Sequence, residues 1–367
     1  MTRNAFMLKG NLSKNGYDWW WHSLVGINSK TKKSRPFFIE YYVINPALGA
    51  GTPVIPSPSD NKGMQKPSYA MIKAGSWGRN AKEINNFYSI SDFSASTEKM
   101  DVKIGENTAT ETQIKGSVFM SVKDSKNHPE YMSDAGKMKW NLAAKKVISH
   151  GVGYGASKPF RMINAFQMYW HIAGMKTEYS GKIVFDGEKY DVLPETCIGY
   201  QDKNWGSDYT NPWIWLNCNS IRKKGSKKAM KNSSLVAGGG TPVLFGIPIQ
   251  RKIVIAFYCE GKLYEFNFSK FWQVNRQHFE FREDKKFAFW DISASNLKNK
   301  INMRFRCDKK KMLFIGYMNP KGEKNHTKLW NGGHAEGTIT LYERSIGGWA
   351  KIGDFEGEMG GCEYGEY

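Results

Sequence analysis

The residues best suited to chemistry lie in one stretch of the chain, residues 199–219, which reads GYQDKNWGSDYTNPWIWLNCN. In an extended strand alternate side chains share a face, so Tyr200, Asp202 and Asn204 are predicted to project together. A carboxyl group among apolar walls has a raised pKa and stays neutral, which suits it to protonate a carbon–carbon double bond. Lys203 is predicted to lie on the opposite face, where it would not counteract that shift. Asp202 is therefore the first candidate for a catalytic acid, with Tyr200 and Asn204 beside it.

Tryptophan side chains near this candidate acid are predicted to form the walls of a pocket. The run that follows repeats the alternation, with Trp213, Trp215 and Asn217 on one face. Aromatic faces stabilise a carbocation formed by protonation, and apolar walls shield it from water. The predicted substrate-binding residues are Trp170, Trp205, Trp213, Trp215, His150 and Asn217. For His150 the alternative is a hydrogen-bonded histidine of the core.

Glu40 is the second candidate acid, because it lies inside the apolar run FFIEYYV. If it is buried, it must be paired or protonated. Alternation places it on one face with Phe38 and Tyr42, and exposure of that face to solvent is the alternative. For Asp202 the alternative is hydrogen bonding to backbone at a domain junction. The three tryptophans at 19–21 are interpreted as packing residues, since three consecutive indoles cannot all face one pocket.

Several motifs of the chain follow the order of a known family. YQDKNWG, WIW and NCN between residues 200 and 219 resemble the signature of the tocopherol cyclase family. More distantly they resemble carotenoid 1,2-hydratases and lipocalin-like pericyclases. Further similar segments are GYDWWW at 16–21, FIEYYVINP at 38–46, MYWHIAG at 168–174 and LYER at 341–344. The resemblance implies two tandem lipocalin-like β domains, with Asp202 at the acidic position of the family.

The elements that position these residues are predicted to be strands. Asp186-Gly187 and Glu260-Gly261 separate short apolar runs and predict β-hairpins. No long stretch shows a 3.6-residue period, so we expect an all-β protein of barrel or sandwich type with few helices. The predicted domains are residues 1–190 and 191–367, with the GYQDKNWG motif in the second. Three prolines in 49–66 predict a loop, with a lid over a pocket mouth as the functional alternative.

Composition limits the classes of partner. The chain has 367 residues, a net charge of +19 and 14% aromatic residues, a content that fits strands enclosing a hydrophobic small molecule. Its basic residues are scattered, and the densest runs, at 222–231 and 309–311, lie where turns are expected. No nucleic-acid-binding motif accompanies them, so nucleic acid is disfavoured. Solvated loops are the first interpretation of these runs, and contact with an anionic membrane surface is the second.

The chain carries no familiar cofactor or metal motif. It has no P-loop and no dinucleotide fingerprint, and its seven histidines show no HxH or HxxxH spacing. We therefore expect neither a cofactor nor a metal. Five widely spaced cysteines are typical of buried free thiols in a reducing compartment. Without a signal peptide or a long apolar segment, the chain is expected to be cytoplasmic, with peripheral membrane association left open.

These observations predict one of two functions. The first is cofactor-independent, acid-catalysed cyclisation or hydration of a lipophilic isoprenoid or polyene, as the family resemblance implies. The second is a non-catalytic, lipocalin-type carrier of a hydrophobic ligand, which would use the same pocket without the acid. The sequence alone leaves enzyme and carrier open, because both require an apolar, aromatic-lined cavity.

Overall fold

The computed structural model describes residues 3–49, 51–56, 65–152, 158–270, 274–323 and 328–366. Its strands confirm the predicted all-β class, and the described residues contain two short α-helices, α1 (Val122–Asn127) and α2 (Lys158–Met162). Both predicted hairpins are present. Asp186 and Gly187 have φ values of 47° and 87°, and Glu260 and Gly261 have 49° and 89°. These left-handed conformations are the ones that a two-residue hairpin turn requires.

Twelve strands form the first sheet. They are β1 (Tyr17–Asn28), β2 (Ser34–Ile44), β3 (Tyr69–Ser76), β4 (Lys82–Tyr88), β5 (Phe93–Ala95), β6 (Asp101–Ile104), β7 (Asn107–Thr110), β8 (Gln113–Met120), β9 (Gly136–His150), β10 (Met168–Phe185), β11 (Glu188–Val192) and β12 (Gly199–Gly206). The order is β4-β3-β2-β1-β11-β10-β9-β8-β7-β6-β5, and β12 pairs with β1 and β10. The edge strand β4 is also joined to β8 of the same sheet. The Asn86 side-chain amide donates to the Phe119 carbonyl (2.8 Å) and accepts from the Phe119 N–H (2.9 Å).

The second sheet contains eleven strands of the later part of the chain. They are β13 (Trp213–Cys218), β14 (Ser220–Lys223), β15 (Ser234–Gly240), β18 (Lys252–Cys259), β19 (Lys262–Asn267), β20 (Arg276–Glu283), β21 (Phe287–Ser295), β22 (Asn299–Asp308), β23 (Leu313–Phe314), β24 (Lys328–Ser345) and β25 (Gly348–Glu366). A separate hairpin is formed by β16 (Val243–Leu244) and β17 (Ile247–Pro248). Gln277 of β20 accepts from the Ile253 N–H (3.0 Å) and donates to the Phe266 carbonyl (3.4 Å). In each sheet a side-chain amide thus connects an edge strand to a strand far along the sheet order, and we call the two sheets the first and second barrels.

The interior of each barrel is filled by its own side chains. Trp20, Tyr41 and Trp140 belong to the buried core of the first barrel. Leu216 and Trp290 belong to that of the second. Close packing of these interiors leaves ligand binding to another part of the molecule.

A third buried cluster lies between the barrels. It joins outward-facing residues of the first barrel, such as Trp19 and Trp21, to outward-facing residues of the second, such as Trp215 and Val254. Strands β12 and β13 are therefore buried on both faces along their whole length. Glu40 lies on such a doubly buried strand, so its face does not meet solvent.

The pairing moves the boundary between the two halves. The prediction placed the junction near residue 190 and assigned the GYQDKNWG motif to the second domain. Instead β11 and β12 pair within the first sheet, through partners such as Ile27↔Asp191 and Trp21↔Asp202. The chain changes sheet between Gly206 and Trp213, because only from β13 onward do strands pair with β15 and β25.

The predicted loop at 49–66 falls partly outside the described residues, which omit 50 and 57–64. In its described part, Val54 forms an isolated bridge with Ser68. Neither described helix is long and apolar enough to cross a membrane.

Candidate functional site

A cavity of about 150 Å³ lies between the two barrels. The first barrel contributes Trp19, Trp21 and Trp170, and the second contributes Trp213 and Trp215. The remaining lining residues are Val152, Phe166, Met168, Tyr169, Asp202, Asn204, Thr210, Ile214, Gly238, Gly239, Gly240, Pro242, Lys252, Val254, Phe268, Ser269, Tyr317 and Glu363. The cavity is thus mainly apolar and aromatic, with a few carboxyl, amide and hydroxyl groups and one lysine, as binding sites for lipophilic molecules are.

Strand register brings the two predicted acids into one row. Trp21 of β1 pairs with Glu40 of β2 on one side and with Asp202 of β12 on the other. Directly opposed residues on neighbouring strands share a face, so all three side chains point toward the second barrel. The shared face of Tyr200, Asp202 and Asn204 follows from the same alternation, and it is the face that borders the cavity.

Asp202 is held by hydrogen bonds from two aromatic side chains. Tyr200 donates its hydroxyl to Asp202 Oδ2 at 2.8 Å, and Trp170 donates its indole N–H to the same oxygen at 2.8 Å. Trp215 of the second barrel donates to the Tyr200 hydroxyl oxygen at 3.2 Å. Neither bond to the carboxyl uses Oδ1. The aromatic groups therefore fix the orientation of the carboxyl by one oxygen.

The surroundings of Asp202 favour its neutral form. Burial raises its pKa to about 7, although the hydrogen bonds from Trp170 and Tyr200 act in the opposite direction. Lys203 is on the other face, as predicted, where its ammonium is paired with the buried Asp18 and lies 3.9 Å from the centre of the Trp20 ring. The nearest cation in sequence thus serves a separate ion pair in the first barrel.

Asn204 is placed beside the acid on the cavity wall. With its amide oriented to satisfy both neighbours, it donates to the Tyr169 carbonyl (3.3 Å) and accepts from Trp19 Nε1 (3.1 Å). Both partners belong to strands that flank β12, namely β10 and β1. Asn204 therefore ties three strands together at the cavity and orients the Trp19 ring.

Glu40 is a fully buried carboxyl behind the cavity wall. Its Oε2 accepts from the hydroxyl of Tyr317 at 3.0 Å, and Tyr317 itself lines the cavity. Burial raises the pKa of Glu40 to about 7, whereas the charge of Lys73 and the Tyr317 hydrogen bond lower it. Lys73 is paired with Glu83 at 3.0 Å and lies 3.7 Å from the centre of the Tyr317 ring. Glu40 contacts the cavity through Tyr317 rather than directly.

The sequence analysis missed a carboxylate on the opposite wall. Glu363 of β25 lines the cavity and pairs in register with Trp215 and Asn331. Burial raises its pKa to about 8, against the hydrogen bonds of Asn331 and Trp213. Its signal is the one that identified Glu40, a carboxylate between apolar residues of a strand, here Cys362 and Tyr364. The cavity is thus bordered by carboxyls from both barrels.

The packing interpretation of the tryptophans at 19–21 is wrong for two of them. Trp19 and Trp21 line the cavity, whereas Trp20 lies in the core of the first barrel. The physical reason is the strand alternation itself, since residues 19 and 21 share the outward face with Glu40 across the pair. The premise that three consecutive indoles cannot share a face holds, but two of the three can.

Three of the predicted substrate-binding residues lie away from the cavity. Trp205 stacks on Tyr169 with ring centres 5.4 Å apart, on the opposite face of β12 from Asp202. His150 Nε2 lies 3.4 Å from the Glu265 carboxylate. Asn217 donates to the Leu235 carbonyl at 3.1 Å and so holds backbone in the second barrel. By contrast, the predicted wall residues Trp170, Trp213 and Trp215 all border the cavity.

Glycines of the second barrel provide the room for these indoles. A Cβ atom at Gly238 would lie 2.7 Å from Cη2 of Trp170, well inside van der Waals contact. One at Gly361 would lie 2.3 Å from Cη2 of Trp215. The Trp170 ring of the first barrel therefore rests on bare backbone of the second, and the Trp215 ring rests on bare backbone of the neighbouring strand in its own barrel.

Among known proteins, two plant proteins are similar in sequence to part of this chain. A protein of Zea mays, "Tocopherol cyclase, chloroplastic", is 26% identical over 146 residues, which are 37% of this chain and 28% of that protein. An Oryza sativa subsp. japonica protein, "Probable tocopherol cyclase, chloroplastic", is 26% identical over 146 residues, 37% of this chain and 29% of its own length. The chain thus matches less than a third of the length of either relative.

A solved structure of kievitone hydratase from Nectria haematococca superposes with a TM-score of 0.47 at 11% identity, over 99% of this chain and 94% of that one. This likeness is too distant to support a conclusion about function. The family model is more extensive. It is described as "Tocopherol cyclase-like" and matches residues 57–366, so the chain belongs to the tocopherol cyclase-like family.

Proposed function

We propose that this protein protonates a double bond of a lipophilic substrate and so catalyses ring closure or hydration. The observation that supports it most is the placement of Asp202. Its carboxyl, with a pKa raised to about 7, borders a cavity whose walls include five indoles. A carboxyl that is half protonated near neutral pH is matched to general-acid catalysis.

The proposed step begins with transfer of the Asp202 proton to one carbon of the double bond. The π electrons form the new C–H bond, and the other carbon becomes a cation that the faces of Trp19, Trp21, Trp170, Trp213 and Trp215 stabilise. A hydroxyl oxygen of the same substrate then attacks the cation and closes a ring. Its proton returns to the Asp202 carboxylate, so the acid is regenerated.

The product of ring closure is an isomer of the substrate, and attack by water would give a hydrate instead. In neither case does the substrate gain or lose electrons, so the reaction needs no redox cofactor. Glu363, whose pKa is raised to about 8, would be mainly protonated at physiological pH and would then offer an O–H donor from the opposite wall. We assign it and Asn204 to orienting the polar group of an otherwise apolar, isoprenoid-like substrate.

The alternative is a non-catalytic carrier. Catalyst and carrier would bind ligand in the same cavity, because the barrel interiors are filled by the residues of their own cores. Binding alone therefore does not separate them, whereas turnover does. Family membership favours catalysis, since the matching model is that of cyclase-like proteins.

The test is Asp202→Asn, which preserves size and an acceptor for the hydrogen bonds of Tyr200 and Trp170. The wild-type protein in D₂O should convert a prenylated hydroquinone with a trisubstituted double bond into a product carrying one carbon-bound deuterium, detected by mass spectrometry. The variant should bind the same compound without turnover. Asp354→Asn, on the surface of the second barrel, is the matched control. Full turnover by the Asp202 variant would remove this residue from the mechanism.

A further inference from the structure

Four exposed apolar side chains lie together at one end of the cavity. Met162 and Ile163, at the end of α2, are 73% and 59% exposed, and Phe245 and Ile247, in the β16–β17 hairpin, are 62% and 68% exposed. We call these four residues the apolar lip. Exposed apolar groups that are grouped together, rather than scattered singly, mark interaction surfaces.

Hydrogen bonds fix the two parts of the apolar lip to each other. The Phe245 N–H donates to the Ala165 carbonyl (2.9 Å), and the Gln167 N–H donates to the Val243 carbonyl (3.3 Å). Phe166 also forms a bridge with Leu244. Since Phe166 and Pro242 both line the cavity, the segments that carry the lip border it.

The hairpin turn holds its aromatic residue in an unusual conformation. Phe245 has φ 50° and Gly246 has φ 81°. Asparagine, aspartate or glycine normally occupies the first of these positions, because a larger side chain is strained there. A phenylalanine at this position carries that strain and still directs its ring into solvent, which is typical of a residue whose partner is another surface.

The two segments that carry the apolar lip contain basic residues and no acidic ones. Residues 135–177 and 209–259 contain no aspartate or glutamate. Lys158, the first residue of α2, and Arg251, three residues after β17, are both exposed. Asp208, whose backbone N–H reaches the Gln167 carbonyl, is paired with Lys321 at 3.7 Å. Apolar side chains flanked by lysine and arginine are suited to an anionic bilayer. The apolar side chains insert among the lipids, and the basic side chains bind the anionic head groups.

We propose that the apolar lip docks on an anionic membrane surface, from which a lipophilic ligand enters the cavity between the barrels. This goes beyond the proposed reaction and does not depend on it, because docking requires neither Asp202 nor turnover. The basic run at 222–231, considered above for lipid contact, is less suited, since Arg222 is paired with Glu356 and Glu358 at 3.1 Å each.

The experiment is co-sedimentation of the full chain with phosphatidylcholine vesicles, with and without phosphatidylserine, at physiological ionic strength. The wild-type protein should partition onto the anionic vesicles. Phe245→Ser with Ile247→Ser should weaken partitioning by about tenfold or more, as loss of two inserting apolar side chains implies. Lys158→Ala with Arg251→Ala should weaken binding to the anionic vesicles alone.

Ile346→Ser is the matched control, because Ile346 is also a fully exposed apolar residue of a two-residue hairpin turn, between β24 and β25. It should leave partitioning unchanged. Equal loss in this control, unchanged binding by the lip variant, or no wild-type binding to either vesicle would overturn the proposal. Self-association of the wild-type protein through the lip, seen as a lip-dependent mass change without vesicles, would do so as well.

Discussion

The Tyr200 hydroxyl donates to Asp202 Oδ2 at 2.8 Å, from a position two residues away on the same face of the same strand. Strand alternation alone brings this pair together, and burial on both faces of β12 removes water from it. A hydrogen bond to the carboxylate stabilises the charged form, so Tyr200 lowers the pKa of Asp202 while burial raises it. The two effects together leave the pKa near neutrality.

Replacing Tyr200 with phenylalanine should therefore raise the pKa of Asp202 above its value of about 7. The alkaline limb of the pH–rate profile should move to higher pH by about one pH unit. This is the size expected for the loss of one good hydrogen bond to a charged group. Measuring kcat/KM of wild type and variant across pH checks this. A limb that moves downward or stays in place would contradict the assigned role.

The wild-type profile itself is predicted from the protonation state that the acid needs. Asp202 must be neutral to donate a proton, so activity should be highest below about pH 7 and decline as pH rises through that value. Initial rates in overlapping buffers give the midpoint. Tryptophan fluorescence at each pH separates titration from unfolding, and a profile that rises through neutrality would exclude Asp202 as the acid.

Gly238→Ala should disturb the site without removing a functional group. The added Cβ would lie 2.7 Å from Cη2 of Trp170, and the displaced indole would lose its hydrogen bond to Asp202. We expect ligand binding and turnover to fall at least tenfold, because small displacements at a reacting centre are costly. Gly347→Ala is the control, since a Cβ there meets nothing within 4 Å. Similar kinetics for both variants would show that the Trp170 wall is not needed.

Glu40→Gln tests whether a buried carboxyl limits stability at high pH. Burial raises the pKa of Glu40 to about 7, so the folded state binds its proton more tightly than the unfolded chain does. The resulting stabilisation is complete below the unfolded pKa and is lost as pH rises through about 7. The variant lacks this pH-dependent loss. Its free energy of unfolding, taken relative to that of the wild type, should therefore be up to about 3 kcal/mol higher in alkaline than in acidic conditions. Urea unfolding at both conditions measures this, and a pH-independent difference would contradict it.

Local patterns of the sequence were sufficient for much of the site. Period-two alternation placed Tyr200, Asp202 and Asn204 on one face and Lys203 on the other, because that relation depends only on strand geometry. Asp186-Gly187 and Glu260-Gly261 identified hairpins by their turn chemistry. The aromatic run at 213–215 identified two wall residues for the same local reason.

Relations that depend on distant pairing were not accessible in this way. Trp205 is an exception, because the same alternation already places it on the Lys203 face of β12, away from Asp202, and its assignment to the cavity wall was wrong on local grounds. β12 lies between β1 and β10, partners far apart in sequence, and the boundary at 190 was therefore placed too early. Glu363 enters the site only because β25 pairs with β13 across most of the second barrel's sequence.

The cavity lies between the outer faces of two filled barrels. The residues that shape the binding space are therefore different from the residues that fill the barrel cores. Residues that determine which molecule fits, such as Trp21, Trp215 and Gly238, are outside both barrel cores. Exchanging them would alter the shape of the binding space while each barrel keeps the interior contacts that fold it. Such an arrangement allows substrate preference to diverge among descendants of one scaffold while both barrel cores are retained.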